Sequence, residues 1–101
     1  MKRVVVTGIG ALTPLGNTAS TYLEGLQNGI SGANPITYFD AAKFKTHFAC
    51  ELKDFKPEEL VHKREIRRVD RFQLYAIISS DEAIADAGLV PNQLDVDRVG
   101  V

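Results

Sequence analysis

The sequence predicts an α/β fold, on three observations. Val4, Val5 and Val6 form an uninterrupted β-branched run ending at Thr7-Gly8, the pattern of a strand covered on both faces in a parallel or mixed sheet. Residues 63–87 read as one long helix, with Gly88 at the stop position and Pro91 beyond it. Between them, residues 46–52 alternate as a half-buried strand does.

The elements follow in order. After the first strand, Gly8-Ile9-Gly10 and Thr13-Pro14-Leu15-Gly16 make a loop, and Asn17 or Thr18 caps a helix carrying Tyr22, Leu23 and Leu26. Gly29 marks its stop. Over residues 31–45 the Gly, Pro and Asn content rises, with Gly32, Asn34 and Pro35 close together, and periodicity is weak, so the segment reads as a loop or irregular excursion. In 46–52, Phe48, Cys50 and Leu52 share one face, and His47, Ala49 and Glu51 the other. Pro57 suits the first position of a short turn through Glu58, Glu59 and Leu60. Within the long helix, Leu74-Tyr75-Ala76-Ile77-Ile78 is apolar nearly all round, which predicts a buried middle. Residues 98–101 read as the opening of another strand. Unpaired backbone groups are costly at such a point, so the sequence is expected to be truncated there. An isolated fragment is expected to aggregate, because its apolar helix lacks covering layers.

Composition narrows the classes. The chain has 101 residues, 45% hydrophobic and 25% charged, inside the ordinary range for soluble globular proteins. A net charge of -1 argues against a globally basic nucleic-acid binder. A single cysteine, Cys50, leaves no intrachain disulfide and fits a reducing compartment, hence the cytoplasm. MKRVVVTGIG lacks the features of a signal peptide, and no stretch approaches the roughly 20 apolar residues that span a bilayer, so membrane insertion is not expected.

Three constellations bear on chemistry. Gly8-x-Gly10 follows a strand and precedes a helix as a dinucleotide-binding turn does, but Thr13 beside Pro14 stands where the third glycine belongs, and the helix begins late. A plain glycine-rich turn is the better reading. Cys50 has His47 and His62 nearby in sequence, but strand alternation sends His47 and Cys50 to opposite faces, and the ligand spacing is not that of a zinc site. A buried structural cysteine is expected. Finally, Arg64, Arg67, Arg68 and Arg71 fall within an arc of about 100° on a continuous helix. Ile66, Val69, Ile77 and Ser80 lie opposite, so a core-facing helix aims the arginines at solvent. Such stripes are commonly solvated faces. Here Glu65 and Asp70 lie to either side and leave the ridge uncompensated, which points to an anionic partner.

Several blocks together, in order and spacing, resemble the β-ketoacyl-acyl carrier protein synthases, especially the discrete type II subclass: RVVVTGIGALTPLGNT, then FDAAKF and HFACELKDF, then HKREIRRVDRFQLYAIISSDEAIADAGL. REIRRVDRF is closer to the stand-alone fatty acid enzyme than to modular polyketide ketosynthase domains. The resemblance implies a thiolase-like fold, layered helix-sheet-helix-sheet-helix and assembled as a homodimer. Residues 1–101 would be an N-terminal fragment of the synthase N-terminal domain, the start of the first half.

By resemblance, the activity is transfer of an acyl chain from acyl carrier protein to a cysteine, followed by decarboxylative Claisen condensation with malonyl-acyl carrier protein, aided by two histidines. No metal or organic cofactor is implied. The catalytic residues of that pattern fall beyond position 101, so none is carried onto this chain, and Cys50 is not the family nucleophile. The basic start of the long helix docks acyl carrier protein in the family, which carries over to Arg64, Arg67 and Arg68, with Arg71 a weaker match. A noncatalytic condensing-enzyme-like partner subunit or carrier-binding module is the alternative, and a Rossmann-type nucleotide domain a more distant one.

Overall fold

The computed structural model describes residues 1–100. Val101, the last residue of the strand expected at 98–101, lies outside the described residues. Before it, Val96–Arg98 forms a 3-10 turn, as does Pro91–Gln93.

Local chemistry sets the helix boundaries. Thr18 holds extended backbone (φ −138°, ψ 160°) and caps α1 (Ala19–Gln27). The Thr21 amide donates to Thr18 Oγ1 at 3.2 Å, and the Thr18 amide donates to Thr21 Oγ1 at 3.1 Å, a reciprocal capping box. At the far end Gly29 takes φ +64°, which costs a glycine little. The Gly29 and Ile30 amides then close on the Leu26 and Gly25 carbonyls at 3.1 and 3.0 Å. Gly88 repeats this arrangement at φ +65°. Both glycine stops fall where the sequence places them, and Pro57 opens a 3-10 turn, Pro57–Glu59, as expected.

The long helix of 63–87 forms as two helices. α2 (Lys63–Ile66) is one turn, and α3 (Arg71–Asp86) restarts after a break. Asp70 takes extended backbone (φ −75°, ψ 162°), and Gln73 Oε1 accepts from the Asp70 amide at 2.8 Å. An Asp with Gln three residues later is a helix-start signal inside a stretch that periodicity alone reads as continuous.

The β structure is smaller than expected. β1 (Asn34–Pro35) pairs antiparallel with β2 (Phe48–Ala49), Asn34 opposite Ala49 and Pro35 opposite Phe48. The strand expected at 46–52 is thus two residues long, and burial does not alternate along it: His47, Phe48 and Cys50 are exposed while Ala49, Glu51 and Leu52 are half-buried. Pro35 brings no amide to the ladder. Glu51 leaves the ladder to receive the Thr37 hydroxyl at 2.7 Å and the Thr37 and Tyr38 amides at 3.1 and 3.4 Å. Val4, Val5 and Val6 form no strand and are 92%, 62% and 81% exposed, because no other described segment pairs with them.

The chain instead organises on α3. Leu74 and Ile78 are buried with Val61, and Leu12, Phe55, Ile66, Val69 and Ile77 pack against them. Phe55 meets Tyr75 edge to face at 5.2 Å. Burial of the helix middle is one-sided, since Ala76 is exposed. The glycine turn lies against the back of this helix. A Cβ on Gly8 would stand 2.2 Å from the Ala83 carbonyl oxygen, and one on Gly10 1.8 Å from that of Ser79. From α3, Asp86 Oδ2 accepts from the Ile9 amide at 2.9 Å and Glu82 Oε2 from Ala11 at 2.8 Å. Glu82 Oε1 accepts from Ala19, the first residue of α1, at 2.8 Å.

The exposed surface is 8654 Å², against about 5,700 Å² for a compact monomer of this mass. The radius of gyration is 17.1 Å, against about 13 Å for a compact domain of this length.

Two outcomes follow. Gly10→Ala drives a methyl into the helix backbone and should lower stability by about 1–3 kcal/mol in chemical denaturation of the complete polypeptide; an unchanged midpoint would show that the turn does not dock there. The Glu51 carboxyl is held below the ordinary carboxylate range, chiefly by the Thr37 hydroxyl, with burial opposing and the Thr37 and Tyr38 amides assisting. A depressed native value contributes stability that is fully present above the ordinary glutamate value and is lost as pH falls from there through the depressed native one. Amide exchange at Thr37 and Tyr38, corrected for intrinsic rates, should therefore lose protection over that interval, and Glu51→Gln should show weak protection that does not vary with pH.

Candidate functional site

The site grows from the segment between the Pro57–Glu59 turn and α3. His62 caps α2, its Nδ1 accepting from the Arg64 amide at 3.3 Å. Arg67 closes the helix, Arg68 lies in the following turn, and Arg71 opens α3. Residues 63–71 thus hold five cations, Lys63, Arg64, Arg67, Arg68 and Arg71, and two carboxylates, Glu65 and Asp70. All five cations are exposed. Among the described residues the one ion pair within 4.0 Å joins Lys56 to Glu59 at 3.5 Å, so none of the five has a carboxylate partner.

The arc computed for a continuous helix does not survive the break at Asp70, because the arginines are distributed over a short helix, a turn and a new helix. The structure groups them differently. Lys63, Arg67 and Arg71 line one groove together with Phe55, Pro57, Glu58 and Ile66, while Arg64 and Arg68 are exposed outside that lining. Lys63 is absent from the expected set, although its four-residue spacing to Arg67 and Arg71 is visible in the sequence. Arg71 has a further contact: its guanidinium lies 4.7 Å from the centroid of the Tyr38 ring.

The other constellations resolve structurally. The amides that a phosphate-binding turn would aim at an anion are those of Ile9 and Ala11, and Asp86 and Glu82 already receive them. Gly8 and Gly10 serve the close approach to α3. Cys50 is exposed, in contrast to the buried residue expected, because the two-residue β2 is too short to build a covered face for it. Among the described residues, no group of three His, Cys, Asp or Glu side chains is placed to hold a metal ion. No described helix is long and apolar enough to cross a membrane.

The whole of this segment, glycine turn and basic break included, has relatives among known proteins. The family described as "Beta-ketoacyl synthase, N-terminal domain" matches residues 1–101, and the chain belongs to that family. It is 48% identical over 100 residues to a 3-oxoacyl-[acyl-carrier-protein] synthase 2 of Synechocystis sp., covering 99% of this chain and 24% of that protein. A synthase of the same description from Staphylococcus aureus strain COL is 46% identical over 100 residues, with the same coverage. Among solved structures, the ishigamide ketosynthase/chain length factor matches with a TM-score of 0.80 and 38% identity, over 89% of this chain and 22% of that one. The architecture is therefore part of the thiolase-like fold. The chain spans about a quarter of the length of the curated relatives it matches.

Proposed function

We propose that this chain is the N-terminal part of a 3-oxoacyl-acyl carrier protein synthase of fatty acid biosynthesis. The observation that carries this reading is the match along 99% of the chain to relatives of that description. Such an enzyme takes an acyl group onto a cysteine thiolate as a thioester. It then forms a carbon-carbon bond between the acyl carbonyl and the α-carbon of malonyl-acyl carrier protein. The malonyl carboxylate leaves as carbon dioxide, and the thiolate is released. None of those steps is assigned to a residue here, and exposed Cys50 is not the nucleophile. In this reading the complete protein is a cytoplasmic homodimer, and its other three quarters cover the apolar surface that residues 1–100 expose.

The part of the function proposed for these residues is carrier docking. Arg64, Arg67 and Arg68 are exposed in one short segment, Arg67 within the groove and Arg64 and Arg68 outside it, and none has a carboxylate partner among the described residues. That arrangement supports recognition of an acidic carrier, since unpaired cations steer a negative partner and fix its approach while losing little hydration in advance. Replacing Arg67 and Arg68 by glutamate in the complete protein should weaken carrier binding about 10- to 100-fold at low salt. The same change should flatten the salt dependence. Unchanged affinity in a low-salt titration with acyl carrier protein would sink the docking assignment.

A further inference from the structure

Arg71 differs from its neighbours in having a partner that leaves its charge intact. Lys63, Arg67 and Arg71 share a groove and repel one another, and no carboxylate lies within ion-pair distance of any of them among the described residues. An ion pair would hold Arg71 in place but cancel the charge it offers. The face of Tyr38, 4.7 Å from the guanidinium, attracts the cation through the ring quadrupole and leaves its peripheral N–H donors available. Tyr38 is itself held. Its amide and that of Thr37 donate to Glu51, and the Ile36 amide donates to the His47 carbonyl at 3.0 Å, so the turn presenting the ring is tied to the residues that flank β2 on either side.

We infer that Tyr38 is a positioning residue, which fixes Arg71 as the third cation of the Lys63, Arg67, Arg71 groove and so sets the affinity of that groove for carboxylates on an acidic protein partner. This rests on the docking reading above and adds to it a residue 25 positions before the basic segment, in the excursion that composition marks only as irregular. The partner's chemistry follows from the lining. Arginine forks match carboxylates in two-point hydrogen bonds. Phe55, Pro57 and Ile66 give the groove an apolar wall against which the stems of glutamate side chains can pack. Glu58, also in the lining, disfavours a partner that offers no more than one negative charge.

The test is a titration of the complete protein with acyl carrier protein at several salt concentrations, for Tyr38→Phe, Tyr38→Leu, Arg71→Ala, the Tyr38→Leu/Arg71→Ala pair, and Arg67→Glu. Tyr38→Phe keeps an aromatic face and should bind within twofold of the parent. Tyr38→Leu should bind about two- to fivefold more weakly. Added to Arg71→Ala, it should have no further effect, since its action passes through the guanidinium. Should Tyr38→Leu fail to fold, Tyr38→Met keeps the volume without the ring and is expected to behave as stated for leucine.

Parent-like binding by Tyr38→Leu, with Arg67→Glu weakened, overturns the role of Tyr38 and leaves the docking reading standing. Weak binding by Tyr38→Phe, or additive losses in the double variant, overturns it as well, because the effect then comes from the hydroxyl or from general loosening. Parent-like binding by Arg67→Glu is the separate result that brings down the docking reading itself.

Discussion

The structure depends on the docking of the glycine turn against α3. Gly8 and Gly10 bring the chain so close to the helix that a methyl group would collide with backbone oxygens of Ala83 and Ser79. Glu82 and Asp86 then draw the freed amides of that turn onto the same helix. One carboxylate of Glu82 bonds both the turn and the first amide of α1, so a single side chain sets where the loop ends and where α1 begins. Charge-assisted bonds from backbone amides are strong, and leaving such amides unpaired is costly. The arrangement also explains why a glycine-rich turn after a β-branched run is no nucleotide site here: the anions it binds belong to the protein.

Much of the local structure is legible in the sequence. Thr18, Gly29, Pro57 and Gly88 act at the positions their chemistry indicates, because caps and stops are decided within a few residues. What depends on distant partners is less legible. Val4 to Val6 are patterned for a covered strand, and Phe72, Leu23 and Leu26 carry apolar surface that stays open among residues 1–100. A β-branched run records an environment, and a strand needs a second backbone to exist. The excess of exposed area over a compact monomer reflects the same separation between patterning and available cover.

The basic segment shows both sides. Its composition and exposure are readable, and so is its lack of compensating carboxylates. Its geometry is not, because Asp70 breaks a helix that the period treats as whole, and the break exchanges a stripe of Arg64, Arg67, Arg68 and Arg71 for a groove of Lys63, Arg67 and Arg71. Asp70 and Gln73 carry the spacing of a helix start, but the long apolar run that follows fits a continuous helix equally well. Tyr38 carries no such signal, since its link to Arg71 crosses from one element to another and depends on how Glu51 folds the intervening turn.

The proposal that the complete protein is a carrier-dependent synthase is most directly tested by condensation itself. The complete protein would be supplied with an acyl group and a malonyl group, each on acyl carrier protein, with carbon dioxide and carrier-bound product followed by mass spectrometry. A carrier-dependent condensing enzyme releases carbon dioxide and the elongated 3-oxoacyl product in equal amounts. Retained carrier binding with neither product formed would contradict that identity and leave a noncatalytic partner that shares the fold.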